Sequence, residues 1–170
     1  QMRFTPDVVT CSSAISACEK GGRWEAALGV LGEVFDISVE PSEVAFNAAM
    51  SAGARGKRWR LAFHLLAAMT LCRCLPGGIG YGAAVSACEK GGQWSQALSL
   101  LADMNRIGVR GNPVALGAAV SACEAGQRWD SALALLRQAW EASLRVSAIA
   151  CSAALSACEK ALSWEWALWL

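Results

Sequence analysis

Apolar residues recur along the chain at helical spacing, in two stripes that return together. From residue 24 onward, Trp24, Ala27, Leu28, Leu31 and Val34 fall at i, i+3, i+4, i+7 and i+10, and Trp94, Ala97, Leu98, Leu101 and Met104 repeat the series. Such spacing puts all five side chains on one face of an α-helix and fits no strand. Upstream of each lies a shorter stripe, Cys11, Ala14, Ile15 and Cys18, matched by Tyr81, Ala84, Val85 and Cys88. The pattern predicts a first helix from about Val8, after the start signal Pro6-Asp7, to about Lys20. Gly21-Gly22 then break it, because glycine makes a left-handed turn at no steric cost. A second helix follows from Arg23-Trp24 to about Phe35, and Asp36 to Ser42 form a linker in which Pro41 bars continuation.

The unit returns in phase. Tryptophans stand at Trp24, Trp59, Trp94, Trp129 and Trp164, each 35 residues from the last, and Ser16, Ser51, Ser86, Ser121 and Ser156 keep the same step. Each serine is followed by alanine, and in four copies then by Cys and Glu, as in Cys18-Glu19 and Cys158-Glu159. Fixed-period similarity of this kind marks a repeat architecture. The expectation is an all-α, right-handed superhelical solenoid of helix–turn–helix repeats. Residues 1–7 would end a preceding copy, 8–42, 43–77, 78–112 and 113–147 would be four full repeats, and 148–170 a fifth. The apolar stripe running into Leu168-Trp169-Leu170 reads as a fifth copy cut short, and no signal or transit peptide is visible. No unit can bury its own stripes, so each depends on the next.

Composition narrows the options. The chain is apolar and only 17% charged, as tightly stacked helices require, but no apolar run reaches the roughly 18 residues that mark a membrane span. The greasiest stretch, Leu61 to Leu75, is broken by His64, Thr70 and Arg73. A net charge of +1 supplies no bulk argument for a polyanionic partner, so any such partner requires the charge to be gathered on one face. Of eight cysteines, Cys18, Cys88, Cys123 and Cys158 share one repeat position. Neighbouring helices lie ~8–10 Å apart, too far for a disulfide that needs Cα atoms within ~7 Å. They read as small, reduced core residues. Cys72 and Cys74 are the one close pair, and with a single histidine, His64, no zinc set can be assembled. No metal, cofactor or small-molecule substrate is expected, and no catalytic motif is present.

A second stripe on the first helix, Val9, Ser12, Ser16 and then Glu19 or Lys20, is small and polar after its first residue. Repeated side by side it would line a concave groove, where function would reside. The unit VVTCSSAISACEKGGRWEAALGVLGEV, with its loop ending Val39-Glu40-Pro41-Ser42, resembles a pentatricopeptide repeat, as does IGYGAAVSACEKGGQWSQALSLLADM from Ile79 to Met104. The step of 35 fits the plain class of that family and disfavours a peptide-binding tetratricopeptide repeat, which steps by about 34.

The resemblance implies single-stranded RNA as partner, read at about one base per repeat. It assigns a base clamp to the second residue of each first helix, here Val9, Val44, Ile79, Val114 and Ile149. All are β-branched and stiff, which suits a wedge between bases, although ordinary packing would also use them. It assigns base readout to the fifth residue together with the last of the repeat: Ser12 with Ser42, Asn47 with Gly77, Gly82 with Asn112, Gly117 with Ser147, and Ser152 in the last copy. Glycine in three of these pairs implies weak or degenerate readout. It assigns phosphate contact to Lys20, Arg55, Lys90 and Lys160, with Ala125 breaking the series; the helix dipole alone would favour cations there by ~0.3–1 kcal/mol. The periodic tryptophans lie on the buried stripe of the second helix and read as core rather than as stacking platforms; Trp140, Trp166 and Trp169 fall outside the series. The resemblance further implies a plastid or mitochondrial location and a role in RNA processing, stabilisation or editing guidance. Near-neutral charge and the glycines keep a second reading open, a scaffold for protein partners on the same groove.

Overall fold

The computed structural model describes residues 8–36, 41–109 and 112–161. The expected end at Leu168-Trp169-Leu170, the helix start at Pro6-Asp7, and Trp164, Trp166 and Trp169 lie outside them. Among the described residues are nine α-helices and no strand, each helix 13 residues long: α1 (Val8–Lys20), α2 (Trp24–Asp36), α3 (Glu43–Arg55), α4 (Trp59–Leu71), α5 (Gly78–Lys90), α6 (Trp94–Arg106), α7 (Pro113–Ala125), α8 (Trp129–Glu141) and α9 (Ala148–Lys160).

Helices this short are marginal alone in water, so packing must hold them. The odd-numbered helices lie side by side in one layer, α1 on α3, α3 on α5, α5 on α7 and α7 on α9. Each even-numbered helix wedges between the first helix of its own repeat and that of the next. The first helices are therefore flanked on both sides, and small residues fill them: Ala45, Ala48, Ala49 and Ala52 in α3, and Ala115, Ala118, Ala119 and Ala122 in α7, are all buried. Larger side chains enter at two registers: Ile15, Met50, Val85 and Val120 are each fully buried, and one turn earlier Phe46 and Leu116 are buried too. Even-numbered helices bury a single stripe, for example Ala97, Leu100, Leu101 and Met104 in α6.

Caps and turns fix the boundaries. Ser42 Oγ accepts from Ala45 N at 3.2 Å, Ser147 Oγ from Ala150 N at 3.2 Å, and Asn112 Oδ1 from Val114 N at 2.9 Å, each satisfying a donor at a first-helix start. First helices end in a two-bond turn: Arg23 N donates to Cys18 O at 2.9 Å while Gly22 N donates to Glu19 O at 3.0 Å. The left-handed residue of that turn is Gly22 (φ 66°) or Gly92 (φ 68°) in two copies, but Lys57 (φ 56°) and Gln127 (φ 55°) in the others.

The first glycine of the expected Gly-Gly break has another task. Gly91 has φ −85° and ψ 0°, a conformation open to any residue, and Ala161 holds the same one at φ −88° and ψ 1°. What excludes a side chain is the tryptophan of the preceding repeat. A Cβ at Gly56, Gly91 or Gly126 would lie 2.6, 2.7 or 2.4 Å from Cδ1 of Trp24, Trp59 or Trp94 respectively. The tryptophans are half-buried, packed on the core and roofed by the next repeat, so their buried-stripe reading is refined. Trp24, Trp59 and Trp94 are latches between repeats.

Cys88, Cys123 and Cys158 are buried and Cys18 is half-buried, and the described cysteines form no disulfide. Burial pushes the Cys88 and Cys123 thiols up to about 11, so neither is a thiolate near neutrality.

Candidate functional site

The polar stripe of the first helices faces an open trough. Val9, Val44, Ile79, Val114 and Ile149 are all 61–71% exposed, among the most exposed large apolar side chains described. Two adjoining cavities of about 570 Å³ each run along it. The first gathers Val9, Ser12, Ser42 and Lys20 with Val44. The second joins Val44, Asn47 and Arg55 to Ile79, Gly82 and Lys90 and reaches Asn112 and Val114. Residues 35 apart thus converge on one surface because equivalent helices lie side by side. Gly77, Gly117, Ser147, Ser152, Ile149 and Lys160 line neither cavity.

Three of the four pairs expected for readout, Ser12 with Ser42, Gly82 with Asn112 and Gly117 with Ser147, meet in space, but most of their hydrogen-bonding capacity is already used. Ser12 Oγ and Ser42 Oγ are 3.0 Å apart, and Ser42 also caps α3. Asn112 caps α7 through Oδ1 while its Nδ2 donates to Gly78 O at 3.0 Å. A Cβ at Gly82 would sit 3.1 Å from that Nδ2, so the glycine makes room for the amide. Gly117 lies across from Ser147, whose Oγ caps α9, and Ser152 Oγ donates to Ile149 O at 2.9 Å.

Asn47 differs. Its Nδ2 donates to Glu43 Oε1 at 3.4 Å, and its Oδ1 is buried with no hydrogen-bond partner. Glu43 stands where a side chain at Gly77 would be, 2.8 Å from the position of its Cβ. Sequence reasoning missed Glu43 as part of this pair. The available signal was its spacing of one helical turn from Asn47.

Beside the cation column stand the glutamates of the Cys-Glu pairs, and two of them bond across repeats. Ser51 Oγ donates to Glu19 Oε1 at 2.7 Å, across the α1–α3 junction. Across the α7–α9 junction, Ser156 Oγ donates to Glu124 Oε1 at 2.7 Å, and Lys160 Nζ binds the same oxygen at 2.7 Å. The Lys160 ammonium and the Ser156 hydroxyl hold Glu124 below the ordinary carboxylate value. Glu89 goes the other way: burial raises it, with neighbouring Lys90 pulling against the shift. Lys160, expected to contact phosphate, is therefore ion-paired, whereas no carboxylate pairs with Lys20, Arg55 or Lys90 among the described residues. No group of three or more metal-ligating side chains gathers among the described residues.

Tandem helical pairs, a small-residue inner layer and one continuous inner trough define an α-solenoid of helix–turn–helix repeats. The family model for the pentatricopeptide repeat matches residues 9–37 and 80–109. Two of the chain's repeats thus match the pentatricopeptide repeat, and the others share their period and helical pairing. Its fold is similar to maize PPR10 (TM-score 0.82, 18% identity, covering 96% of this chain and 24% of that one). It is equally similar to the PPR domain of Arabidopsis thaliana protein-only RNase P 1 in complex with tRNA (TM-score 0.82, 14% identity, 96% and 86% covered). PPR10 in complex with an 18-nt psaJ RNA element gives a TM-score of 0.79 at 18% identity, with 97% and 24% covered. The chain thus spans about a quarter of the length of PPR10. No curated protein sequence matches it.

Proposed function

We propose that the chain binds single-stranded RNA along the inner trough, at about one base per repeat and with little sequence preference. The observation that carries this reading is the column Val9, Val44, Ile79, Val114 and Ile149: stiff apolar side chains left exposed, one per repeat, the first four along two adjoining cavities. A monomeric helical fold has no packing reason to expose a β-branched residue at the same register five times, and flat bases offer apolar faces to cover. Lys20, Arg55 and Lys90 stand at the rim for phosphate. The RNA complexes of PPR10 and of the protein-only RNase P 1 repeat domain support this partner. The engagement of Ser42, Asn112 and Ser147 in caps favours tolerant over specific readout. In this reading the chain acts by occupancy, in plastid or mitochondrial RNA processing, stabilisation or editing guidance.

Replacing Val44 and Ile79 together by Asp tests it. Both are exposed, so helicity by circular dichroism should not change, while single-stranded RNA affinity should fall about 10- to 100-fold if each wedge supports one base. Unchanged affinity would remove the clamp. A randomised RNA pool that yields no binding even at low salt would favour a protein scaffold instead.

A further inference from the structure

The turns joining first to second helices form one edge of the solenoid, and their charge is unevenly distributed. At four equivalent positions the second repeat places Arg55, Lys57, Arg58 and Arg60, all cationic. The first repeat has Lys20, Gly22, Arg23 and Glu25 there, the third Lys90, Gly92, Gln93 and Ser95, and the fourth Ala125, Gln127, Arg128 and Asp130. Formal charge at these positions is thus +4 in the second repeat against +1, +1 and 0 in the first, third and fourth, counted from those residues. In the fourth repeat Arg128 is further quenched by Asp130 at 3.1 Å. The repeat architecture therefore does not demand the cluster. In a chain of net charge +1 it is a marked local excess.

The cluster is shaped as well as charged. Lys57, Arg58, Arg60 and His64 line a cavity of about 250 Å³ whose apolar walls include Trp24 and Trp59. The Arg58 guanidinium lies 4.7 Å from the Trp24 ring centre and that of Arg60 5.0 Å from Trp59. Stacking on a ring orients a guanidinium while leaving its N–H edges for oxygen acceptors, the fork that matches phosphate. Among the described residues no carboxylate pairs with Lys57, Arg58 or Arg60. The cavity shares no lining residue with the trough, but Arg55, which lines the trough, ends α3 two residues before Lys57.

We infer that this edge is a second, phosphate-binding site, which takes the backbone of a single strand where it leaves the trough over the second repeat. The inference rests on the RNA reading of the trough and adds an exit path to it. The strand crosses the α3–α4 turn with its phosphates on Lys57, Arg58 and Arg60, and its bases take no part. Binding there is independent of sequence and strongly salt-dependent.

The test compares single-stranded RNA of about 5 nucleotides, enough for the trough at one base per repeat, with RNA of about 15 nucleotides. The variant is Lys57→Gln, Arg58→Gln, Arg60→Ser. Gln127, Gln93 and Ser95 already occupy these positions in other repeats, so the fold accepts the replacements. The wild-type chain should gain affinity from the longer RNA, and the variant should lose that gain. Its log–log salt slope on the long RNA should be shallower by about 2, at roughly 0.7 per lost phosphate contact. Affinity for the short RNA should stay within about twofold. A second variant, Lys57→Gln with Arg60→Ser, keeps Arg58 on Trp24 and should show about two-thirds of the slope change. Equal affinity of both proteins for the long RNA, with short-RNA binding intact, would overturn the edge site alone. Failure of the wild-type chain to bind either RNA would overturn the trough reading and this inference with it.

Discussion

Between the second and third repeats, Ala54 stands where Glu124 stands between the fourth and fifth. At the later junction Glu124 draws in both Ser156 and Lys160, so the trough there is internally neutralised. At the earlier one the acid is missing and Lys90 has no carboxylate partner among the described residues. The junction of the third and fourth repeats is the converse, with Glu89 kept and Ala125 in the cation's place. Identical backbone architecture thus carries three charge states along one trough: positive, negative and neutral. Architecture and electrostatics are specified by different residues, and each can be altered without the other.

The largest expected effect bears on architecture. The two junctions also differ in their latch, since Trp59 lies over Gly91 whereas the residue equivalent to Gly91 in the last repeat is Ala161. Gly91→Ala puts a Cβ 2.7 Å from Trp59 Cδ1 without disturbing an already permissive backbone. Overpacking of this kind costs about 1–3 kcal/mol, read as a lower denaturation midpoint in urea. A variant as stable as wild type would mean that the ring moves aside freely and that the latch is not a latch.

Charge comes next. Ala54→Glu should give the α3–α5 junction the character of the α7–α9 junction, pairing Lys90 and weakening RNA binding about two- to fivefold, the worth of one exposed ion pair. Glu124→Gln should do the reverse by freeing Lys160, steepening the salt slope by about 0.7. If both substitutions leave affinity and slope alone, the rim cations do not meet phosphate, and the helix dipole suffices to explain them.

The period, the two helices per unit and the exposed apolar column were legible because each is set by residues within one helix, where spacing alone fixes the face. What could not be read were contacts between repeats. The Glu19–Ser51 and Glu124–Ser156 bonds join residues 32 apart, three residues short of the 35-residue period, an offset that depends on how far each helix is displaced along its neighbour. The role of Gly56, Gly91 and Gly126 was hidden by a second, local reason for glycine. One clue was present: the glycine three residues before tryptophan persists even where Lys57 or Gln127 takes the left-handed turn. The capping duty of Ser42, Asn112 and Ser147 was signalled by residue type at the helix start, and that duty competes with the base-reading role the same positions suggested.

The smallest effect has the most distinctive sign. Glu124 has its folded value lowered by Lys160 and Ser156, so its contribution to stability is complete above the unfolded carboxylate value near 4.5 and is lost as pH falls through the lower folded value. Burial raises Glu89 instead, so its charged form opposes folding; that penalty is absent below about 4.5 and grows as pH rises through the raised folded value. Glu124→Gln should therefore destabilise the chain at neutral pH by under about 1 kcal/mol, with the difference vanishing in acid. Glu89→Gln should stabilise it at neutral pH by a comparable amount, and its advantage should likewise vanish in acid. Two urea-denaturation series between about pH 2.5 and 7, reaching below the ordinary carboxylate value, read both trends on the same scale. Differences of the same sign would show that the two glutamates occupy equivalent environments after all, and the contrast between their junctions would then reduce to the cation alone.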